Sequence, residues 1–313
     1  MIRALARPLA AVAFAAAVGV GVPFAAAAEP VDPTPRIAVM SAFAPEWGVL
    51  QEMIEDRTDA VENGVRFVTG TIDGTPVVLL LSGVGMVNAA MSAQMVLDRY
   101  TVDTIVFSGI AGGVDPSLTL GEVVVPDRWA SYFNVLIARK TTDGYSIPSF
   151  MHAEYPNYGM LYPQPELVRS DGHEEPEHRF WFEVDEGLLT RATRASVKVA
   201  LESCTGAGVC LSEAPRVVVG GNGVSGSAFV DNAEFRKYVF DTFDASVVDM
   251  ESAAVAQVAA TNGVKFIAFR SLSDLAGGSE AENEMETFMA IAAENSAGMV
   301  RAFLAEGAEA GQP

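Results

Sequence analysis

Three acidic residues of this 313-residue chain each follow closely on a predicted buried strand: Glu46, Glu251 and Asp274. Taken singly, each carboxylate has an ordinary structural explanation, as a helix-dipole partner in a first turn or as a cap. Taken together, the three would lie at one edge of a sheet, where α/β proteins form their ligand sites. Carboxyl groups in such a site can donate and accept protons. The pattern therefore predicts acid–base chemistry at that edge.

Two glycine-rich turns also follow predicted strands, at 82–89 (SGVGMVNA) and 108–113 (SGIAGG). Turns of this kind let a ligand approach the backbone closely. A dinucleotide site is the competing interpretation, but Asn88 stands where G-x-G-x-x-G has its third glycine. A dinucleotide site also requires an acidic residue at the end of a second strand, about 20 residues after the glycine-rich turn, to bind the ribose. The sequence has no acidic residue in that position.

Strands and helices alternate along most of the chain. Predicted strands lie at 36–40, 65–72, 76–82, 104–108, 122–126, 216–220, 246–249 and 265–270, and predicted helices at 46–54, 86–100, 232–242, from 250 and at 282–305. The strands at 65–72 and 76–82 are expected to form a hairpin around Asp73-Gly74. The alternation predicts an α/β fold, a three-layer α-β-α sandwich around a mixed, largely parallel twisted sheet.

The segment at about 129–183 has a different composition. It is rich in Tyr, Pro and Phe, and it contains all three histidines of the chain. We expect a long insertion of loops with little regular structure, within a single catalytic domain at 29–313. Long loops in compact domains often serve as lids or binding elements.

The net charge is −20, and half of the residues are apolar. Such an apolar fraction favours a sizeable core over disorder. A strongly negative surface repels nucleic acids and anionic membranes, so a nucleic-acid partner is not expected. The charge instead favours a small-molecule substrate, and nothing in the sequence calls for a metal or another cofactor.

The first 28 residues have the pattern of a signal peptide. Arg3 and Arg7 precede an apolar run that ends in four alanines at 25–28. A membrane anchor is the alternative, but the run is short for a span of about 20 residues, and small residues at its end favour cleavage. We therefore expect a periplasmic or secreted protein that is free of the membrane after cleavage.

Cys204 and Cys210 are the two cysteines of the chain, in the sequence CTGAGVC. Export would place them in an oxidising compartment, and the short glycine-containing loop between them could close a disulfide. Two thiols do not complete a four-ligand zinc site. A pair of unlinked thiols remains the alternative to the predicted disulfide.

A set of motifs in order carries a resemblance to a known family. The motifs are SAFAPEW, SGVGMVNAA, SGIAGG with GEVVVPD, GVSGSAFVDN, VVDMESAA and FRSLSD. The chain resembles the nucleoside phosphorylase/nucleosidase superfamily over about 36–128 and 215–305. Within it, the chain is similar to the methylthioadenosine/S-adenosylhomocysteine nucleosidases, which implies hydrolysis of the N-glycosidic bond of a purine nucleoside.

The resemblance implies a role for each matching residue. Asp274 would be the general acid that protonates the imidazole-ring nitrogen of the purine, with Ser273 holding its carboxyl group. Glu46 would activate the attacking water, with Arg270 beside it. The residues implied in substrate binding are Glu251 and Met250 on the ribose, Phe229 and Val230 on the purine, and Phe43, Val84 and Gly112 in the pocket wall. The resemblance also implies a homodimer.

Two other functions remain open. A phosphorylase of this superfamily needs cationic and hydroxyl groups around phosphate, whereas this chain has Glu46 near the first strand and Phe107 and Ile110 around the second glycine turn. A carboxylate and two apolar side chains make a poor phosphate site, which favours water as the nucleophile. Ile110 also departs from the nucleosidase pattern, where Ser or Thr is usual. A non-catalytic nucleoside-binding or storage protein is the third possibility.

Overall fold

The computed structural model describes residues 32–170, 175–279 and 282–309. The predicted signal peptide at 1–28 lies outside the described residues. The first seven strands are β1 Asp32–Ser41, β2 Glu55–Glu62, β3 Val65–Ile72, β4 Thr75–Leu81, β5 Tyr100–Gly113, β6 Val123–Val125 and β7 Arg128–Ser131. Six short strands follow: β8 Val135–Ile137, β9 Arg139–Thr141, β10 Gly144–Ser146, β11 Leu161–Pro163, β12 Glu166–Val168 and β13 Glu177–Arg179. The last five are β14 Phe182–Glu183, β15 Val217–Val219, β16 Asn222–Ser225, β17 Ala245–Asp249 and β18 Lys265–Asp274.

Within the described residues, a twelve-stranded mixed sheet forms the centre of the protein, in the order β14-β7-β16-β17-β5-β1-β4-β3-β2. Off this path, β18 pairs with β5, β6 pairs with β18, and β15 pairs with β6. Its central pairs β1/β4, β1/β5, β5/β18 and β16/β17 are parallel. The long strand β5 also pairs antiparallel with β17. These pairings confirm the predicted mixed sheet and bring the C-terminal ends of several strands to one edge.

In the part of the chain that the structure describes, six helices flank the sheet: α1 Ala44–Met53, α2 Met86–Arg99, α3 Glu186–Ser196, α4 Ala233–Phe243, α5 Ser252–Thr261 and α6 Met285–Glu309. Helices α1 and α3 pack on α6, and α2 packs on α5, while both α5 and α6 pack on β18. This arrangement is the predicted three-layer sandwich. No helix within the described residues is long and apolar enough to cross a bilayer.

The predicted hairpin is confirmed at β3 and β4. Asp73 and Gly74 join the two strands with φ angles of 46° and 81°. Both values lie in the left-handed region that a two-residue turn of this type requires, and Asp-Gly is a favoured pair there.

The segment predicted as loops at about 129–183 is more regular than expected. Its two ends belong to β7 and β14, which pair with each other in the main sheet. Between them lie three two-stranded antiparallel sheets, β8/β11, β9/β10 and β12/β13. The prediction missed these strands because three residues are too few to display an alternating pattern.

Aromatic side chains of this segment pack on helix α4. The Tyr158 ring lies 5.0 Å from the Phe235 ring, and the Tyr155 ring lies 5.3 Å from the Phe243 ring, both between centroids. Such pairs add to the stability gained from burial. The segment is therefore fastened to the body of the domain.

Cys204 and Cys210 form a disulfide, as the sequence predicts. The loop between them is also closed by backbone hydrogen bonds from Thr205 to Val209 and from Leu211 to Ser203, at 2.7 and 2.8 Å. The covalent link therefore adds to a turn that already has its own hydrogen bonds.

Replacement of both cysteines by serine is expected to lower the free energy of unfolding by only about 2 kcal/mol, because a small loop excludes few unfolded conformations. Denaturant unfolding of the purified, oxidised protein measures this loss, with the reduced wild-type protein as the control. A loss above about 4 kcal/mol would contradict the loop-size argument. Mass spectrometry that finds two free thiols would contradict the disulfide itself.

Candidate active site

A cavity of about 230 Å³ opens at the C-terminal ends of β1, β5, β17 and β18. All seven residues assigned to substrate binding line it: Phe43, Val84, Gly112, Phe229, Val230, Met250 and Glu251. Three of the four residues assigned to catalysis line it as well: Glu46, Ser273 and Asp274. Arg270 does not reach the cavity wall, but its Nη2 lies 3.7 Å from Glu251 Oε2. The fold thus collects the predicted residues in one place.

Glu46 is held by three backbone N–H groups. Those of Ala42 and Phe43 donate to its Oε2 at 3.1 and 3.0 Å, and that of Ile110 donates to its Oε1 at 2.9 Å. Pro45 lies in the first turn of α1, and Glu46 follows at the position where a side chain can turn back to the helix N-terminus. The carboxylate is therefore fixed with respect to both β1 and β5.

Burial raises the pKa of Glu46, while the positive charge of Arg270 and the three backbone donors act in the opposite direction. A carboxylate with a raised pKa binds a proton more readily than an ordinary one. Its position and basicity suit the removal of a proton from a nucleophile.

The Arg270 guanidinium is buried, with its side chain 1 % exposed. Its Nε lies 2.8 Å from Asp249 Oδ2, and its Nη2 lies 3.7 Å from Glu251 Oε2. Nε and Nη2 both donate to Ser252 Oγ, at 3.0 and 2.8 Å. The Phe107 ring centroid lies 4.2 Å from the guanidinium carbon. This cation is already satisfied by protein groups and is not free to bind an anion.

Glu251 precedes helix α5 and reaches across to the first glycine turn. The N–H of Gly85 donates to its Oε1 at 2.8 Å. Gly85 has a φ angle of 99°, a conformation that side chains other than hydrogen rarely permit. Burial raises the pKa of Glu251 to about 7; the charges of Asp249 and Glu46 add to this rise, while Arg270 opposes it.

Asp274 ends strand β18 inside the cavity. The hydroxyl group of Ser273 donates to its Oδ2 at 2.9 Å, and the N–H of Ala276 donates to its Oδ1 at 2.8 Å. Burial raises the pKa of Asp274, although these two hydrogen bonds and one from Asn283 oppose the rise. A buried carboxyl group of this kind keeps its proton to higher pH than an exposed one, as a general acid must.

The register of β5 against β18 separates the acid from the base. Arg270 pairs with Gly109, and Asp274 pairs with Gly112. A Cβ atom on Gly109 would lie 2.9 Å from Glu46, and one on Gly112 would lie 3.3 Å from Asp274. Because a strand rises about 3.3 Å per residue, the two carboxyl groups border positions roughly 10 Å apart. They can act on two different ends of one ligand.

Gly109 is the position where any side chain would disturb this arrangement. A Cβ atom there would lie 2.2 Å from Arg270 Nη1. Gly109→Ala is expected to destabilise the protein by about 1–3 kcal/mol through overpacking and to lower any turnover about tenfold. Thermal unfolding and an activity assay check this, with Gly48→Ala in helix α1 as the control, because Gly48 has open space around it. Equal behaviour of the two variants would contradict the expected crowding.

Several lining residues were not identified from the sequence as part of the site: Ala42, Ala111, Ala228, Val248, Asp249 and Met285. Asp249 had a usable signal, since it stands two residues before Glu251 at the end of a strand. Met285 had none, because it opens α6 far along the chain and meets the cavity only through the fold. Ile110, noted as a departure from the family pattern, is a lining residue as well.

Residues 36–305 match the sequence profile of the phosphorylase superfamily. The chain belongs to this superfamily. It is 30 % identical over 271 residues to a 5′-methylthioadenosine/S-adenosylhomocysteine nucleosidase from Geobacillus thermodenitrificans, covering 86 % of this chain and 96 % of that relative. This match places it among the nucleosidases of the superfamily, in agreement with the motifs.

Solved structures of the phosphorylase superfamily share the fold. The nucleosidase of the same name from Neisseria meningitidis, solved in complex with methylthio-immucillin-A, has a TM-score of 0.66 and 26 % identity. The alignment covers 86 % of this chain and 98 % of that one. The nucleosidase from Colwellia psychrerythraea, solved in complex with adenine, has a TM-score of 0.65 and 25 % identity, over 87 % of this chain and 95 % of that one.

Proposed function

We propose that this superfamily member hydrolyses the N-glycosidic bond of 5′-methylthioadenosine and S-adenosylhomocysteine, releasing adenine and the 5-thioribose product. The proposal rests on one cavity that is lined by three buried carboxyl groups. They belong to Asp274 near Gly112, to Glu46 near Gly109, and to Glu251. The two relatives solved with methylthio-immucillin-A and adenine support a purine nucleoside as the ligand.

Asp274 acts on the purine in this proposal. Cleavage of an N-glycosidic bond places negative charge on the leaving base, and a proton donated to the imidazole-ring nitrogen lets adenine leave as a neutral molecule. The raised pKa of Asp274 keeps that proton available. Ser273 holds the carboxyl group, Phe229 stacks on the purine, and the Val230 backbone contacts its edge.

Glu46 and Glu251 act on the sugar. The ribose gains oxocarbenium character as the bond breaks, so nearby carboxylates stabilise it. Glu46 takes a proton from the attacking water, with Arg270 beside it, and Glu251 accepts hydrogen bonds from the ribose hydroxyl groups next to Met250. The remaining wall, with Phe43 and Val84, is apolar. This chemistry uses protein groups and water, and no cluster of metal-binding side chains occurs among the residues that the structure describes.

Water is favoured over phosphate as the nucleophile for an electrostatic reason. The lining residues within the described part of the chain include Glu46, Asp249, Glu251 and Asp274 but no Lys, Arg or His. The nearby Arg270 is paired with Asp249 at 2.8 Å, and its Nη2 lies 3.7 Å from Glu251. Ile110 presents an apolar side chain where a hydroxyl group would be needed. A phosphate ion would meet carboxylates without a free cation to neutralise it.

The test is adenine release from 5′-methylthioadenosine, measured with and without phosphate. Release without phosphate is expected. Release that depends on phosphate would identify a phosphorylase, and nucleoside binding without release would identify a storage protein. A panel of 5′-methylthioadenosine, S-adenosylhomocysteine, adenosine and inosine then defines the base and the 5′ substituent.

A homodimer is part of the proposal, and an exposed apolar strip beside the cavity supports it. The strip consists of Val87 and Met91, four residues apart on α2, together with Val84 in the glycine turn just before the helix, and Val87 is 80 % exposed. A spacing of four residues places Val87 and Met91 on one face of the helix. A second copy of the chain would cover this strip next to the cavity.

Light scattering of the mature protein is expected to show two chains per particle, and Val87→Asp is expected to shift the particle to one chain, because a carboxylate in an apolar interface costs several kcal/mol. Val197→Asp is the matched control, since Val197 is equally exposed at the end of α3. A wild-type protein that stays at the mass of one chain at micromolar concentration would contradict the dimer.

Export to the periplasm or the medium is the last part of the proposal. It rests on the sequence pattern at 1–28 and agrees with the Cys204–Cys210 disulfide, since disulfides persist in oxidising compartments. Mass spectrometry of the exported protein is expected to find a new N-terminus near residue 29. An intact N-terminus at Met1 would contradict cleavage.

A further inference from the structure

Asp249 is a buried carboxylate that the proposed reaction does not use. It ends strand β17 and borders the cavity, and its side chain is 1 % exposed. Its Oδ1 accepts the N–H groups of Glu251 and Ser252, both at 3.2 Å, and the hydroxyl group of Ser225. One oxygen therefore fixes the start of helix α5 and with it the backbone of Glu251.

The other oxygen of Asp249 faces the guanidinium group. Oδ2 lies 2.8 Å from Arg270 Nε and has no hydrogen-bond donor among the described residues, because that Nε–H points to Ser252 Oγ. The contact between Asp249 and Arg270 is thus a buried ion pair. Arg270 is therefore held towards Asp249, and its Nη2 remains 3.7 Å from Glu251 Oε2.

Charge is unbalanced around Arg270. Three carboxylates act on this one guanidinium: Asp249 on β17, Glu251 at the start of α5, and Glu46 on α1. Because negative charge exceeds positive charge in this buried site, one of the three carboxyl groups is favoured to keep its proton. The pKa of Glu251 is raised to about 7, and burial raises the pKa of Glu46 as well. Glu251 also accepts the Gly85 N–H from the first glycine turn.

We propose that Asp249 is a positioning residue that keeps Arg270 away from Glu251, so that the Glu251 carboxyl group stays available to the ribose of the substrate. The inference rests on the proposed function for the identity of the ligand. Asp249 itself does not contact the nucleoside; it acts through Arg270 and through the first turn of α5.

Asp249→Asn is the direct test. The amide oxygen can still accept from the N–H groups at 251 and 252, but the amide NH₂ then faces the guanidinium and no longer attracts it. Arg270 is expected to move closer to Glu251. The approach of this cation and the loss of the Asp249 charge together lower the pKa of Glu251 by about one unit. The acidic limb of the pH profile of kcat/KM should move to lower pH by a similar amount.

Substrate binding should weaken in the same variant. Since Glu251 is now paired with Arg270, the KM for 5′-methylthioadenosine is expected to rise about tenfold, the change that one pKa unit represents. Inhibition by adenine, which has no ribose, should keep its wild-type constant. Asp249→Glu retains the charge and is expected to restore the position of the acidic limb.

Ser225→Ala is the matched structural control. It removes one donor from Asp249 Oδ1 and an acceptor of the Ala253 N–H, while the charge of Asp249 remains. This variant is expected to unfold at lower temperature but to keep the wild-type pH profile. A merely structural role for Asp249 predicts that Asp249→Asn behaves like Ser225→Ala, and that result would overturn the proposal. An unshifted acidic limb in a folded Asp249→Asn would overturn it as well.

The two proposals fail in different ways. A wild-type protein that releases no adenine from 5′-methylthioadenosine contradicts the proposed function. Calorimetry of nucleoside and adenine binding to the wild-type, Asp249→Asn and Asp249→Glu proteins still tests the positioning role. Nucleoside affinity that is equal in all three contradicts that role.

Discussion

Asp274→Asn is expected to lower the turnover of 5′-methylthioadenosine by about 10²-fold or more, within the range that a positioned acid contributes. Asparagine keeps the size of the side chain, and its oxygen can still accept from the Ala276 N–H, which now lies 2.8 Å from Oδ1. Its NH₂ group can donate to the Ser273 hydroxyl oxygen, which now lies 2.9 Å from Oδ2. It cannot donate a carboxyl proton to the purine. Steady-state kinetics should therefore show a loss in kcat with KM largely kept.

The pH profile provides a second measure of the same role. Because the acid must be protonated, wild-type kcat is expected to fall as the pH rises through the raised pKa of Asp274, and the variant should lack that limb. Asp98→Asn, an exposed change on helix α2, is the control and should behave as wild type. Wild-type turnover in Asp274→Asn would show that another group supplies the proton.

Glu46→Gln is expected to reduce turnover by about 10²–10⁴-fold, because the amide cannot take a proton from water. The oxygen of glutamine can replace Oε2 as acceptor for Ala42 and Phe43. Its NH₂ group then faces the N–H of Ile110, so two donors oppose each other where Oε1 now accepts at 2.9 Å. The loss should appear in kcat, measured as adenine release.

Glu52→Gln on the same helix is the matched control, since residue 52 is exposed and lies outside the cavity. Adenine affinity, measured by calorimetry, is expected to be unchanged in both variants because the role proposed for Glu46 is at the sugar. Turnover of Glu46→Gln within a few-fold of wild type would contradict the role of Glu46 as the base. Arg270 and the backbone would then be the groups that orient the attacking water.

Elements with local signals were predictable from the sequence. The β3–β4 hairpin depends on two adjacent residues, Asp73 and Gly74, whose backbone preferences fix the turn. In contrast, β2 (Glu55–Glu62) was missed, because an edge strand with almost all of its side chains exposed has no apolar alternation to display. The short strands between residues 135 and 179 were missed for a related reason, their length.

The sequence by itself determined which residues stand at strand ends: Glu46, Glu251 and Asp274, together with the two glycine turns. Adjacent residues carry that information, because a turn or a strand end is specified within a few positions of the chain. Only the tertiary structure decided that Gly109 pairs with Arg270 beside Glu46, and that Asp249 rather than Glu251 is the nearer partner of Arg270. These contacts join distant segments, and strand register and packing in the core set their distances.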